Sequence, residues 1–215
     1  MKIEIFSDII CPWCFIGKQR LDRVLTTEIG ENVELRWRPY LLYPNLPLEG
    51  VDRAELLKRR YGEDADPGRI PERIRMEAEE EALTLRFDLI KRTPNTLLAH
   101  RLMEFAYDAD PTGQLQHQLS ERLFRAYFCE GQDVGDFDTL IQQAHAVGLA
   151  QAEATEYLAG EQGVDHIVST PSKERSRAKQ PWFYIIHCAN CGYVYNTISK
   201  HTFSQPVSPK FVLPD

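Results

Sequence analysis

In residues 2–25, KIEIFSDIICPWCFIGKQRLDRVL, two cysteines stand at the junction of a strand pattern and a helix pattern. The apolar-rich run at residues 2–7 predicts a strand, and the apolar spacing over residues 12–27 predicts a helix. Cys11 and Cys14 enclose Pro12 and Trp13 between these two elements. A C-x-x-C pair at such a junction is typical of a thiol–disulfide redox centre.

Cys11 occupies the N-terminus of the predicted helix, where unpaired backbone N–H groups and the helix dipole favour negative charge. A thiolate is such a charge, so the sequence predicts a lowered pKa for Cys11. Cys14 follows about one turn later, in position to resolve a mixed disulfide. Half of a zinc site and two inert cysteines are the alternatives, but a zinc site needs two more ligands and none is close in sequence. No metal site is therefore expected.

Composition and charge limit the kinds of protein that this chain can be. The chain has 215 residues, of which 43% are hydrophobic and 27% charged, which suits one globular unit or one domain with a large insertion. Its net charge of −7 gives no attraction for nucleic acid or for an anionic membrane. No apolar run approaches the roughly 20 residues of a membrane span, and cytoplasmic location is the expectation. Five cysteines do not suggest a disulfide scaffold, and Cys129 has the setting of a small buried hydrophobe.

The patterns along the chain predict one sheet interrupted by helices. A second strand is predicted over residues 32–38, followed by a proline-rich loop at residues 39–47. The helical middle is predicted over residues 53–61, 71–83, 96–109, 114–128, a segment capped by Asp136 or Asp138, and a last short helix at 152–158. Strand character returns at residues 181–187 and 192–198, which predicts an antiparallel hairpin.

The β–α–β beginning and the β–β end complete a sheet only together, so the helical block is an insertion. The predicted divisions are residues 1–45 and 163–215 for the two parts of the α/β unit, and residues 46–162 for the helical insertion. Beyond Ile198, three prolines (Pro206, Pro209 and Pro214) argue against a final helix of normal length.

Three segments resemble a known family: FSDIICPWCFIG (residues 6–17), WRPYLL (residues 37–42) and RTPNTLLAHRL (residues 92–102). They resemble the DsbA-like thioredoxin-fold family, and within it the FrnE-like cytoplasmic branch, which is related to 2-hydroxychromene-2-carboxylate isomerases and kappa-class glutathione transferases. The resemblance covers roughly residues 1–165. It implies an α/β thioredoxin fold with a large inserted all-helical domain.

The resemblance implies a thiol–disulfide oxidoreductase or isomerase that acts on protein or small-molecule disulfides, with Cys11 and Cys14 as catalytic residues. The predicted substrate-binding residues are Pro12, Trp13, Asn95, Gln180 and Pro181. Pro181 stands where the family has a cis-proline loop opposite the cysteines; an ordinary trans proline is the alternative. Trp13 either contacts substrate or packs on the 39–47 loop. No cofactor is required, glutathione is a candidate co-substrate, and a homodimer is a candidate assembly.

Two other functions stay open at this point. One is a glutathione-dependent transferase or isomerase, with Asn95 and His100 lining the site. The presence of Cys14 makes this function less favoured, and His100 is more typical of a packed or surface helix residue. The other is a redox-inert protein that binds a partner.

The sequence has a second C-x-x-C pair, Cys188 and Cys191. The preferred interpretation is that these are incidental cysteines in a hairpin turn; a second redox pair, or a metal knuckle with His187, is the alternative.

Overall fold

The sheet is assembled from both ends of the chain. The computed structural model describes residues 2–27, 33–175, 185–188 and 194–195. Strand β1 (Lys2–Ser7) pairs in parallel with β2 (Glu34–Pro39) and antiparallel with β5 (Ile185–Cys188), which pairs antiparallel with β6 (Val194–Tyr195). The strand order is β2-β1-β5-β6. The prediction that the two ends share one sheet and finish in a hairpin is therefore confirmed for the described residues.

Helix α1 (Pro12–Leu25) begins at the cysteine motif and packs against two helices of the helical part, Glu72–Glu80 and Gln114–Phe128. Cys11 is its N-cap, with extended backbone, and Pro12 takes the first helical position, where its missing N–H is not needed. Phe15 and Ile16 are almost completely buried and lie behind the motif. The Phe15 ring stacks on Phe124, with 5.2 Å between the ring centroids. This contact ties the start of α1 to the helical part of the protein.

The helical insertion follows the predicted order closely. Its helices are α2 (Arg53–Tyr61), α3 (Glu72–Glu80), α4 (Leu97–Ala109), α5 (Gln114–Phe128), α6 (Phe137–Ala146) and α7 (Gln151–Ala159). Helix α8 (Val164–Arg175) follows, beyond residue 162, where the insertion is predicted to end. The short strands β3 (Val51–Asp52) and β4 (Arg92–Thr93) pair antiparallel, and a 3₁₀ turn covers Phe87–Leu89. Asp52 and Asp136 cap α2 and α6 by accepting the backbone N–H groups of Glu55 and Thr139, each at 2.9 Å.

The prediction that residues 152–158 form the last helix was wrong, because α8 follows α7. The apolar spacing in residues 164–175 is weak, which hid this helix from the sequence analysis. Ile167 is completely buried, and α8 packs on α4. Tertiary packing therefore supplies the stability that a weak amphipathic pattern does not.

Side chains of α5 close the outer edge of β2. The side chain of Gln116 is completely buried; its Oε1 accepts the Trp37 backbone N–H at 2.7 Å, and its Nε2 donates to the carbonyls of Trp37 at 3.0 Å and Met103 at 2.9 Å. Gly113, at φ +82°, precedes α5 so closely that a Cβ would lie 1.7 Å from the Leu35 carbonyl oxygen. Only glycine permits this approach, and the strand edge is satisfied without another strand.

His117 connects β2, α5 and α1. The Trp37 indole Nε1–H donates to His117 Nδ1 at 3.1 Å, and His117 Nε2 lies 2.6 Å from Asp22 Oδ1. Because an indole can only donate, Nδ1 accepts and Nε2 carries the proton. Lys18 Nζ reaches the other Asp22 oxygen at 2.5 Å. Burial opposes the charge of Asp22, but the hydrogen bonds from His117 and Lys18 prevail and lower its pKa.

Gln116→Leu is expected to destabilise the protein by about 3 kcal/mol, because it leaves buried backbone groups of β2 and α4 without partners. Urea denaturation followed by circular dichroism measures the change. Gln118→Leu, on the exposed side of the same helix, is the matched control and is expected to change stability little. Equal effects of the two substitutions would contradict this role for Gln116.

Asp22→Asn is expected to destabilise the protein by about 1 kcal/mol at pH 7, since a charged hydrogen-bond acceptor is lost. The lowered pKa of Asp22 means that its contribution is present above the unfolded-state value near about 3.9 and is lost as pH falls through the folded-state value. The difference from wild type should therefore shrink in acid. Urea titrations between pH 3 and pH 7 test this, with the exposed Asp138→Asn as control; a difference independent of pH would contradict it.

Candidate active site

The two cysteines of the motif form a dithiol at the first turn of α1. Cys11 is half-buried and Cys14 is buried. The Cys14 backbone N–H donates to the Cys11 carbonyl at 2.9 Å, which sets the spacing of the pair. Cys11 and Cys14 are free cysteines, as is Cys129. The more exposed Cys11 can meet a substrate, while Cys14 lies behind it.

A buried carboxylate lies next to the dithiol. Asp8, in the loop between β1 and α1, is completely buried. Its Oδ2 accepts the Leu42 backbone N–H at 2.6 Å, and its carbonyl accepts the Cys11 backbone N–H at 3.1 Å. Asp8 therefore joins the cysteine loop to the segment that follows β2. The sequence analysis missed this residue, because its position after a strand gave no sign that the carboxylate would be buried.

His100 lies on the other side of Asp8. Its side chain is 4% exposed, and its Nε2 is 3.5 Å from Asp8 Oδ1, an electrostatic contact too long for a good hydrogen bond. This confirms His100 as a packed helix residue, and its burial withdraws it from a surface where it would line a ligand site. Ser7 Oγ, His100 Nε2 and Glu104 Oε1 are buried without hydrogen-bond partners within the described residues, and they line one small cavity. A polar cluster thus lies beneath the cysteine loop.

These surroundings reverse the predicted effect on Cys11. The hydrogen bond with Cys14, burial, and the negative charges of Cys14 and Asp8 raise the pKa of Cys11. The Trp13 backbone N–H lowers the pKa but does not compensate. The prediction of a lowered pKa was therefore wrong. The helix N-terminus is present, but it acts on a thiol that is desolvated and close to a like charge.

Trp13 is half-buried against the core and lies under a cation. The guanidinium carbon of Arg73, on α3, is 5.4 Å from the centroid of the Trp13 ring. Pro12, at the first position of α1, is also half-buried. Both residues of the motif interior are partly accessible beside Cys11. Their predicted contact with substrate stays a prediction.

Asn95 has a structural role. Its Nδ2 donates to the Leu46 carbonyl at 2.8 Å, and its Oδ1 accepts the Leu97 backbone N–H at 2.9 Å. These bonds hold the proline-rich loop against the start of α4. Asn95 also lines a cavity of about 430 Å³ together with Leu48 and Arg101. The substrate role assigned to Asn95 from sequence stays a prediction beside this one.

Several predicted site residues lie outside the described part of the chain. Gln180, Pro181 with its predicted cis bond, Cys191 and the prolines of the tail belong to this group. The backbone of His187 and Cys188 is described as part of β5. Among the described residues, no group of three or more His, Cys, Asp or Glu side chains is arranged to hold a metal ion.

The comparisons with known proteins agree with this geometry. A profile of the DSBA-like thioredoxin domain matches residues 2–179. The chain belongs to the DSBA-like thioredoxin domain family. The uncharacterized protein YwbO of Bacillus subtilis (strain 168) is 30% identical over 149 residues, which cover 69% of this chain and 67% of that protein.

Solved structures share the fold of this DSBA-like protein. A probable DsbA oxidoreductase from Streptomyces coelicolor superposes with a TM-score of 0.68 at 23% identity, covering 86% of this chain and 80% of the other. The cytosolic disulfide reductase DsbM from Pseudomonas aeruginosa, solved with GSH, gives a TM-score of 0.63 at 14% identity, covering 92% and 90%. The predicted thioredoxin fold with a helical insertion is thereby confirmed.

No helix in the ranges that the structure describes is long and apolar enough to cross a membrane.

Asp8→Asn is expected to lower the pKa of Cys11, because it removes a neighbouring negative charge and keeps an acceptor for the Leu42 N–H. A thiol ionises as pH rises through its pKa, so the alkylation rate of Cys11 should begin to rise at lower pH. The measurement is the pH dependence of iodoacetamide alkylation, followed by mass spectrometry in a Cys14→Ser background so that one thiol of the pair reports. A curve that stays in place, or moves to higher pH, would contradict the role of Asp8; Asp138→Asn, exposed on α6, is the control.

Proposed function

We propose that the protein is a thiol–disulfide oxidoreductase that acts on protein or small-molecule disulfides through Cys11 and Cys14. The observation that carries this proposal is the pair of free cysteines at the first turn of α1, of which Cys11 is half-buried and Cys14 is buried. An inert pair of cysteines has no need of this asymmetry between an accessible and a protected sulfur. Membership of the DSBA-like family supports the same chemistry.

The reaction follows from the difference in access. The Cys11 thiolate attacks one sulfur of a substrate disulfide, forming a mixed disulfide and releasing the first substrate thiolate. Cys14 then loses its proton and attacks Cys11 Sγ, which forms the Cys11–Cys14 disulfide and releases the second substrate thiolate. Two electrons pass from the dithiol to the substrate, and the two released thiolates take up protons. The buried position of Cys14 protects the mixed disulfide from attack by other thiols.

The surroundings of Cys11 favour the reducing direction. Strongly oxidising dithiols owe their potential to a reduced form that is stabilised as a thiolate. Here the neighbouring Cys14 and burial, with a smaller effect of Asp8, raise the pKa of Cys11 and disfavour its thiolate, so the reduced form gives up its electrons more readily. A reductase belongs in a compartment that keeps thiols reduced, and we place this protein in the cytoplasm.

The proposal requires no cofactor, since both electrons come from the cysteines. A small thiol must reduce the Cys11–Cys14 disulfide between turnovers, and glutathione is our candidate for that co-substrate. The expected substrates are disulfides of proteins or small molecules. Nucleic acid and membranes are not expected as partners, given the net charge of −7, and a homodimer stays a candidate assembly.

Cys11→Ser is expected to abolish disulfide reduction, because the remaining thiol of the pair, Cys14, is buried and does not meet the substrate. Insulin reduction with dithiothreitol as the electron donor measures the activity, and thiol titration of the reduced protein confirms the free cysteines. Cys129→Ser is the matched control: Cys129 is half-buried, burial raises its pKa, and it lies outside the motif, so activity should be retained. Folded wild type without insulin reduction, or an active Cys11→Ser variant, would overturn the proposal.

The same samples separate the alternative functions. Glutathione conjugation by a folded wild type that reduces no disulfide would assign the transferase class, which the family resemblance left open. Loss of activity in Cys14→Ser, with trapping of a mixed disulfide on Cys11, would support the two-cysteine mechanism. A protein that shows neither activity would be a binding member of the family.

A further inference from the structure

Helix α3 is fixed beside α1 so that its first turn lies next to the dithiol. Arg20 of α1 reaches Glu77 at 2.5 Å and Glu81 at 2.9 Å, and Arg23 reaches Glu81 at 2.8 Å. Two turns earlier on α1, Trp13 contacts Arg73 of α3. Contacts that advance in the same direction on both helices show that α1 and α3 run parallel, with their N-termini on the same side. The ion pairs thus hold Arg73 at the end of the molecule that carries Cys11.

Arg73 differs from its neighbours on α3 in having no carboxylate partner within the described residues. Arg75, two positions later, pairs with Glu72 at 2.5 Å and with Glu79 at 2.6 Å. Arg73 is exposed, and its guanidinium carbon lies over the Trp13 ring. A cation–π contact uses none of the guanidinium N–H groups as hydrogen-bond donors, so they remain available to a ligand.

We infer that Arg73 determines substrate specificity by binding a carboxylate carried close to the disulfide of the substrate. The inference deepens the proposed function and rests on it. A disulfide bound to Cys11 must lie over the first turn of α1, where Trp13 and Arg73 form one side of the approach. The edge of a guanidinium matches a carboxylate with two parallel hydrogen bonds. In a protein with a net charge of −7, a fixed cation at this place offsets the general repulsion of acidic substrates.

The test compares two disulfides of different charge in a single turnover of the reduced protein. Glutathione disulfide carries carboxylates, and hydroxyethyl disulfide is uncharged. Mass spectrometry follows the oxidation of Cys11 and Cys14, which needs no added reductant. Arg73→Gln is expected to slow the reaction with glutathione disulfide roughly tenfold, since one charge-assisted pair is lost, and to leave the reaction with hydroxyethyl disulfide unchanged.

Further variants separate charge from structure. Arg73→Lys should recover part of the rate with glutathione disulfide, and Arg73→Glu should slow it beyond Arg73→Gln. Arg75→Gln is the matched control on the same exposed helix and should react like wild type with both disulfides. The preference for glutathione disulfide should also fall with added salt.

Equal slowing with both disulfides, or no slowing with either, would overturn the role of Arg73 while leaving the proposed function in place. Failure of wild type to react with either disulfide would overturn the proposed function, and the inference with it. Reaction of wild type with hydroxyethyl disulfide that Cys11→Ser abolishes establishes the dithiol independently of Arg73.

Discussion

The side chains of α5 that close the outer edge of β2 connect the helical insertion to the sheet. Gln116 supplies both a donor and an acceptor to the Trp37 backbone, so a buried strand edge is satisfied by a side chain from the insertion. The next residue, His117, is hydrogen-bonded both to the Trp37 indole and to the Asp22 carboxylate of α1, and so links β2 to α1. The helix that carries the dithiol is therefore oriented by residues almost a hundred positions away. A buried backbone group left unpaired costs about 1–3 kcal/mol, which makes this edge a strong constraint on the fold.

Two opposing effects meet at Cys11, and their magnitudes decide the outcome. The end of a helix stabilises a nearby charge by only about 0.3–1 kcal/mol at an exposed site. Removing a charge from water costs several kcal/mol unless a partner compensates, and Asp8 has the same sign as a thiolate. The neighbouring Cys14 and burial, with a smaller effect of Asp8, therefore outweigh the helix N-terminus, and the pKa of Cys11 is raised. The loop bonds of Asp8 to Leu42 and its contact with His100 show that this carboxylate is held in place by both parts of the molecule.

The accessible side of the dithiol carries a positive charge, that of Arg73. On α3 most charges are paired, either with α1 or within the helix, and Arg73 stands apart over the Trp13 ring. The buried side next to Cys11 is thus negative and the exposed side positive. This arrangement keeps the thiolate uncommon in the free protein and gives an anionic substrate a place to bind. The two features act on different steps, one on the reactivity of the sulfur and the other on the encounter with substrate.

Local signals in the sequence determined the strand, the cysteine motif and the helix that follows it, because alternation, proline at the first helical position and capping aspartates act within a few residues. The helices of the insertion were predicted within a few residues of their ends for the same reason. Helix α8 was missed, since its stability comes from packing of Ile167 and not from its own pattern. The environment of Cys11 could not be predicted from the sequence either. Asp8 is buried by segments 34 and 92 positions away that carry Leu42 and His100, and Arg73 reaches Trp13 because distant ion pairs fix α3. Burial and charge at a site are sums over contacts that only the folded chain brings together.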